Sequence, residues 1–184
     1  MGLYKFGIKL FIENSKDYSS KKFIPIFHNW IQNKSIPNHL LIDVIDYSHI
    51  ADGPGVMLIA HEGQFSLDQE YKKPGMMYMR KTSIDSEFAD CFHLVFATVQ
   101  HAASLLASST DNTLKFSNKS FRFIANDRRV AENTNKNRQL FQNKIDNIIK
   151  EKFPGNAWDY SAISNEGERL AFTVNFTSDI NIDE

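Results

Sequence analysis

The chain of 184 residues has a single cysteine, Cys91. It cannot form an internal disulfide, so nothing asks for an oxidising compartment. Charge of one sign is also scarce: 21 Lys and Arg stand against 22 Asp and Glu, a formal net charge of −1. The basic residues come in scattered pairs, Lys21-Lys22, Lys72-Lys73, Arg80-Lys81 and Arg128-Arg129. Such pairs read as solvated surface and not as a nucleic-acid footprint. No apolar run reaches the roughly 18 residues that span a bilayer. The N-terminal MGLYKFGIKLFIEN alternates like a strand and lacks the charged start and small-residue cleavage site of a secretory signal. Gly2 invites a myristoylation reading, but Phe6 stands where Ser or Thr is wanted. The expected home is the cytoplasm, with neither nucleic acid nor membrane as a partner. There is no long linker, low-complexity segment or internal repeat, so one domain over 1–184 is expected, with 1–110 and 111–184 as sub-parts.

What is present is ordinary globular composition, 42% hydrophobic and 23% charged, with 15 phenylalanines to build a core. A chain this long needs no disulfide or structural metal to fold. Residues 4–12 alternate as a strand, with Phe6, Ile8, Leu10 and Ile12 on one face. FIPIFHNWIQN reads as a helix with Phe23, Phe27, Trp30 and Ile31 on one stripe, Pro25 in its first turn and Ser19 or Ser20 as cap. HLLIDVIDYS and VMLIAHE are near-continuous apolar runs, as of central strands covered on both faces. ADGPG joins them, with Gly55 at the positive-φ position of a type II turn. QFSLD and MMYMRK form a further pair about the polar tip QEYKKPG. A second helix spans 86–107, with Phe88, Phe92, Val95, Val99, Ala103 and Leu106 inside and Asp85 or Ser86 as cap. LKFSNKSFRFIAN reads as a hairpin about Asn118 and Lys119. A third helix spans 136–152, with Phe141, Ile145, Ile148 and Ile149 inside. WDYSAI and RLAFTVNFT close the fold. The expected class is α+β: a mixed, mainly antiparallel sheet with three helices on one face, an elaborated split βαβ, ferredoxin-like sandwich. Its opening β-α-β is a right-handed crossover if the two strands are parallel neighbours.

The strings IPIFHNWIQ, DVIDYSHIADGPGVMLIAHEG, MYMRK and FIANDRRVAENT, spread over 23–134, together resemble a bacterial protein family of unknown function. The resemblance implies shared His28, Trp30, DYSH, GPG, His61-Glu62, Arg80-Lys81 and Asn126-Asp127-Arg128. It implies a bacterial cytoplasmic protein and no particular chemistry. The family pattern has a proline before the Asn-Thr pair, where this sequence has Glu132.

The chemistry-bearing residues crowd around the GPG turn. His49, His61 and Glu62, with Asp46, have donor types suited to zinc or iron, with His28 as a third ligand. But His61 and Glu62, adjacent on a strand, point to opposite faces, and no HExxH or CxxC is present, so no metal and no cofactor is expected. Asp43 and Asp46 lie in an apolar strand. Either they pair with Arg80 or Arg128, or burial raises Asp46 or Glu62 into the range of a general base. The first is favoured. NDRRVAENT leads into a helix, where Asp127, Arg128 and Arg129 flank an anion-holding N-terminus or, more simply, a solvated loop with an Asn or Thr cap. Cys91 reads as core filler, His93 and His101 as surface, and Met76, Met77 and Met79 as packing.

Two functional expectations follow. The first is a non-catalytic domain that self-associates, as a homodimer, or binds a partner. The second is a small-molecule-binding protein or enzyme. In it His49, His61, Glu62 and Asp46 do the chemistry, and His28, Arg80, Gly55, Asp127 and Arg128 hold the ligand.

Overall fold

The computed structural model describes residues 3–13, 19–162 and 167–180. They build one eight-stranded sheet and three helices. The strands are β1 (Phe6–Ile12), β2 (Leu41–Tyr47), β3 (Gly55–Ala60), β4 (Gly63–Asp68), β5 (Gly75–Arg80), β6 (Phe116–Ala125), β7 (Trp158–Ala162) and β8 (Ala171–Phe176). The helices are α1 (Ile24–Asn33), α2 (Phe88–Ser108) and α3 (Asn135–Lys152). The sheet order is β2-β3-β4-β5-β1-β6-β8-β7, and every pairing is antiparallel. The α+β class therefore holds, with three corrections in detail.

First, β1 and β2 are not neighbours. α1 carries the chain from the centre of the sheet to its edge, past β5, β4 and β3. Second, β2 is that edge strand and none of its residues is fully buried; its carboxylates, Asp43 and Asp46, are exposed. Third, residues 116–125 form one strand and not a hairpin. The polar Ser-Asn-Lys piece is the part of β6 that overhangs β8, whose pairing begins at Ser120. The expected caps also move. α2 starts at Phe88 with Glu87 before it and no side-chain cap, and α1 is led in by a 3-10 turn at Ser20–Phe23. Thr134 caps α3, accepting from the Asn137 N–H at 3.2 Å.

The helix-covered face follows the alternation in the sequence. Phe6 of β1 meets Phe88 and Phe92 of α2 and Phe123 of β6, with ring centroids 5.3–6.3 Å apart. Phe141 of α3 stacks on Phe123, and Phe27 and Trp30 of α1 join the same core. Each fully buried ring of this kind contributes about 1.5–3 kcal/mol. By length and composition α2 could cross a membrane; here half of its apolar window is buried inside the fold.

Among the described residues, none of α1, α2 and α3 lies on the opposite face of the sheet. The alternate residues point there: Gly7, Lys9 and Phe11 of β1, Gly75, Met77 and Met79 of β5, Ser66 and Asp68 of β4, Arg122 and Ile124 of β6. The middle of this face is nevertheless buried. Residues 69–74, the β4–β5 connection, fold back across it as a strap. Two glycines make the packing work. A Cβ at Gly75 would lie 2.8 Å from Lys9 Cε, and one at Gly7 would lie 2.9 Å from the Met79 methyl. Glycine here leaves room for a neighbour's long side chain.

Candidate functional site

The residues expected around the GPG turn are not brought together. His49 follows the C-terminal end of β2, and His61 follows the C-terminal end of β3, its antiparallel partner. The length of the hairpin separates them, roughly 17 Å at about 3.4 Å per residue. Both are exposed, as is His28 on the outer side of α1. Among the described residues no three His, Cys, Asp or Glu side chains gather as a ligand set. Asp43 and Asp46 are exposed, and each accepts a nearby backbone N–H, from Val44 at 2.7 Å and Ser48 at 2.8 Å. Neither pairs with Arg80 or Arg128 among the described residues.

The general-base reading is also overturned. Hydrogen bonds from Ser48 hold Asp46 below the usual carboxylate range. For Glu62 burial pushes up, but the Leu40 N–H at 2.9 Å and the neighbouring His39 and His61 outweigh it, and its carboxyl is also lowered. Arg80 is buried and donates from Nε to the Thr82 carbonyl at 3.1 Å. It stands beside Tyr78, whose hydroxyl lies 2.7 Å from His39 Nε2. Because His39 Nδ1 must donate to the Pro37 carbonyl at 2.8 Å, Nε2 of a neutral ring accepts from Tyr78. This network ties the segment before β2 to β5. The sequence reading passed over His39.

The unusual chemistry lies on the helix-free face. Lys9 is 0% exposed and donates to Asp68, 1% exposed, diagonally across Gly75. Burial pulls the Lys9 ammonium below its ordinary value, and Asp68 opposes that pull. The bond to Asp68 and the lack of exposure hold this amine as a structural cation and leave no path for it to act as a nucleophile. Next to Lys9, in register on β6, is Arg122. It is 2% exposed. Its guanidinium carbon lies 5.2 Å from the Phe11 ring centroid and 5.1 Å from that of Tyr71 in the strap, so aromatic rings stand by it from two elements. Among the described residues its Nε and Nη1 have no hydrogen-bond partner. Burial pulls the Arg122 proton affinity down, against Asp68 and Glu70. Two buried guanidinium nitrogens left without acceptors call for an explanation, since such groups are otherwise satisfied.

Arg122 lines a cleft of about 240 Å³ beside the strap. Arg128 and Arg169 join it, as do Glu70, Glu168 and the apolar Ile124 and Ala171. Arg169 pairs with Glu70 at 3.3 Å, and the Tyr71 hydroxyl donates to Glu168 at 3.0 Å. Burial raises the Glu70 carboxyl, helped by Asp68. The NDRR motif thus supplies one residue to this site, Arg128. Asp127 turns back instead to accept the Arg129 N–H at 3.0 Å.

The GPG turn takes part indirectly. Asp52 accepts the Lys72 N–H at 3.2 Å, and the Gly53 carbonyl accepts the Gln69 N–H at 3.0 Å. Gly55 adopts φ +64, and a Cβ there would run into the Leu67 carbonyl. The turn therefore buttresses the strap. Tyr71 and Lys72 in the strap are held at φ +59 and +54, a conformation that costs a non-glycine residue about 1–2 kcal/mol each. These turn and rim contacts hold them there.

The chain matches no protein-family model, and neither the curated proteins nor the solved structures give a match.

Proposed function

We propose that this protein binds a small anionic molecule on the helix-free face of its sheet, with Arg122 as the recognising group. One observation supports this above the rest: a guanidinium 2% exposed, with no hydrogen bond at Nε or Nη1 among the described residues, lines a cleft with two further arginines. An anion in the cleft would give the guanidinium an acceptor, and charge-assisted bonds to guanidinium are the strong ones. The strap over Lys9 and Asp68, braced by the GPG turn, gives the site a fixed wall. The proposal also places the protein in the bacterial cytoplasm, in keeping with the motif resemblance and with one buried free thiol.

The test is thermal unfolding in sodium acetate and in sodium phosphate, against sodium chloride at matched ionic strength. At about 100 times Kd a ligand adds about 2.7 kcal/mol, or about 5–10 °C for a chain of this size. Arg122→Gln, compared with its own melting in chloride, loses the anion effect. Equal melting of the parent in all three salts sinks the proposal.

A second reading, self-association, has its own observation. The β2 edge is open, with Leu40 65% and Ile42 56% exposed beside it. Sedimentation equilibrium tests it. A dimer converted to monomer by Ile42→Lys supports pairing at that edge, and a monomeric parent removes it.

A further inference from the structure

We infer, on the anion reading above, that the ligand is a small monocarboxylate whose apolar end lies along Ile124 and Ala171. Charge is the first argument. Three guanidinium groups and two carboxylates line the cleft, which leaves one positive charge uncompensated, and the Lys9–Asp68 pair beneath it is neutral. One negative charge completes the site. A dianion would bring its second charge against Glu70 and Glu168, and like charges repel.

Shape is the second argument. Rings of Phe11 and Tyr71 stand by the Arg122 guanidinium. A flat carboxylate suits the planar guanidinium fork. The floor is the third. Ile124 and Ala171 belong to an apolar cluster with Met77 and Met79, separate from the main core. A cleft lined by a buried cation and apolar side chains suits an amphipathic acid. A fully hydrophilic anion would leave that floor unused. Size is the fourth. About 240 Å³ falls below the usual range for drug-sized ligands. It is roughly eight waters' worth at about 30 Å³ each, which is enough for a six-carbon acid.

Isothermal titration calorimetry at pH 8 with acetate, hexanoate, succinate and inorganic phosphate tests this. Each methylene withdrawn from water strengthens binding about fourfold, so partial burial of the tail makes hexanoate at least about tenfold tighter than acetate. Succinate and phosphate bind at least about tenfold more weakly than hexanoate. Arg122→Gln abolishes hexanoate binding. Arg122→Lys, which keeps the charge but not the planar fork, weakens it about tenfold or more. If phosphate or succinate binds as tightly as hexanoate, or acetate matches hexanoate, the monocarboxylate inference is overturned and the anion site stands. If none of the four binds, both fall. Hexanoate binding undiminished in Arg122→Gln also overturns both, because the acid is then held elsewhere.

Discussion

Asp68→Asn is the sharpest test of the buried charge on the helix-free face. Lys9 and Asp68 are 0% and 1% exposed, so the substitution strands an ammonium out of reach of water. Removing one partner of a buried pair costs about 3–5 kcal/mol. Here the upper half of that range applies, because Arg122 lies beside Lys9 and adds a like charge. At about 2–4 °C per kcal/mol, the loss in Tm is about 8–20 °C. Lys9→Met should cost less. It leaves Asp68 near Arg122, which can take over part of the pairing, so about 1.5–3 kcal/mol is expected, the worth of a hydrogen bond to a charged group. The double variant should recover part of the sum, and the coupling measures the pair. Urea unfolding followed by tryptophan fluorescence from Trp30 and Trp158 reads all four chains. The pH dependence adds an internal check. Without Asp68, burial and Arg122 both pull Lys9 down with only Glu70 left to oppose them. A base whose folded pKa lies below its unfolded value gains stability as pH rises from the first to the second. Asp68→Asn should therefore recover relative to the parent as pH rises toward 10. A variant within about 1 kcal/mol of the parent at pH 7, with no coupling to Lys9→Met, would refute the reasoning.

Two further outcomes follow from the packing. Gly75→Ala places a methyl against the Leu10 carbonyl and 2.8 Å from Lys9 Cε, so β1 must shift; overpacking of this kind costs about 1–3 kcal/mol, and unchanged urea unfolding would contradict the account of the two glycines. Burial pushes the Tyr78 hydroxyl up to about 12, against the pull of Arg80. Absorbance at 295 nm should show one tyrosine ionising near there and missing in Tyr78→Phe. Its neutral form is favoured by folding, so roughly 2–3 kcal/mol of stability, present below pH 10, is lost as pH rises from about 10 to 12.

Much of the fold was legible because helix periodicity survives in the sequence. The stripe Phe88, Phe92, Val95, Val99, Ala103 and Leu106 is buried as read, and so is that of α3. Strand position was harder. HLLIDVIDYS and VMLIAHE look alike, yet one is an exposed edge and the other is buried, and only the pairing order decides it. The site was hidden for a related reason. Lys9 in FGIKLFI and Arg122 in SFRFIA alternate with apolar neighbours, which is the pattern of a solvated face. They are buried because a strap lies over them, and QEYKKPG has the composition of any polar loop tip. Gly7 and Gly75 inside strands were the available signal, since a strand glycine marks a close approach. The density of polar residues around GPG had a mechanical meaning. Asp52 and Gly53 hold the strap, and the histidines lie at opposite ends of one hairpin.

The central claim is that Arg122 waits for an acceptor from outside the chain. A crystal structure grown in sodium hexanoate tests it most directly. The account predicts a carboxylate within hydrogen-bond distance of the Arg122 guanidinium, its tail on Ile124 and Ala171. An empty cleft, with Arg122 satisfied by a carboxylate of its own chain, would contradict it.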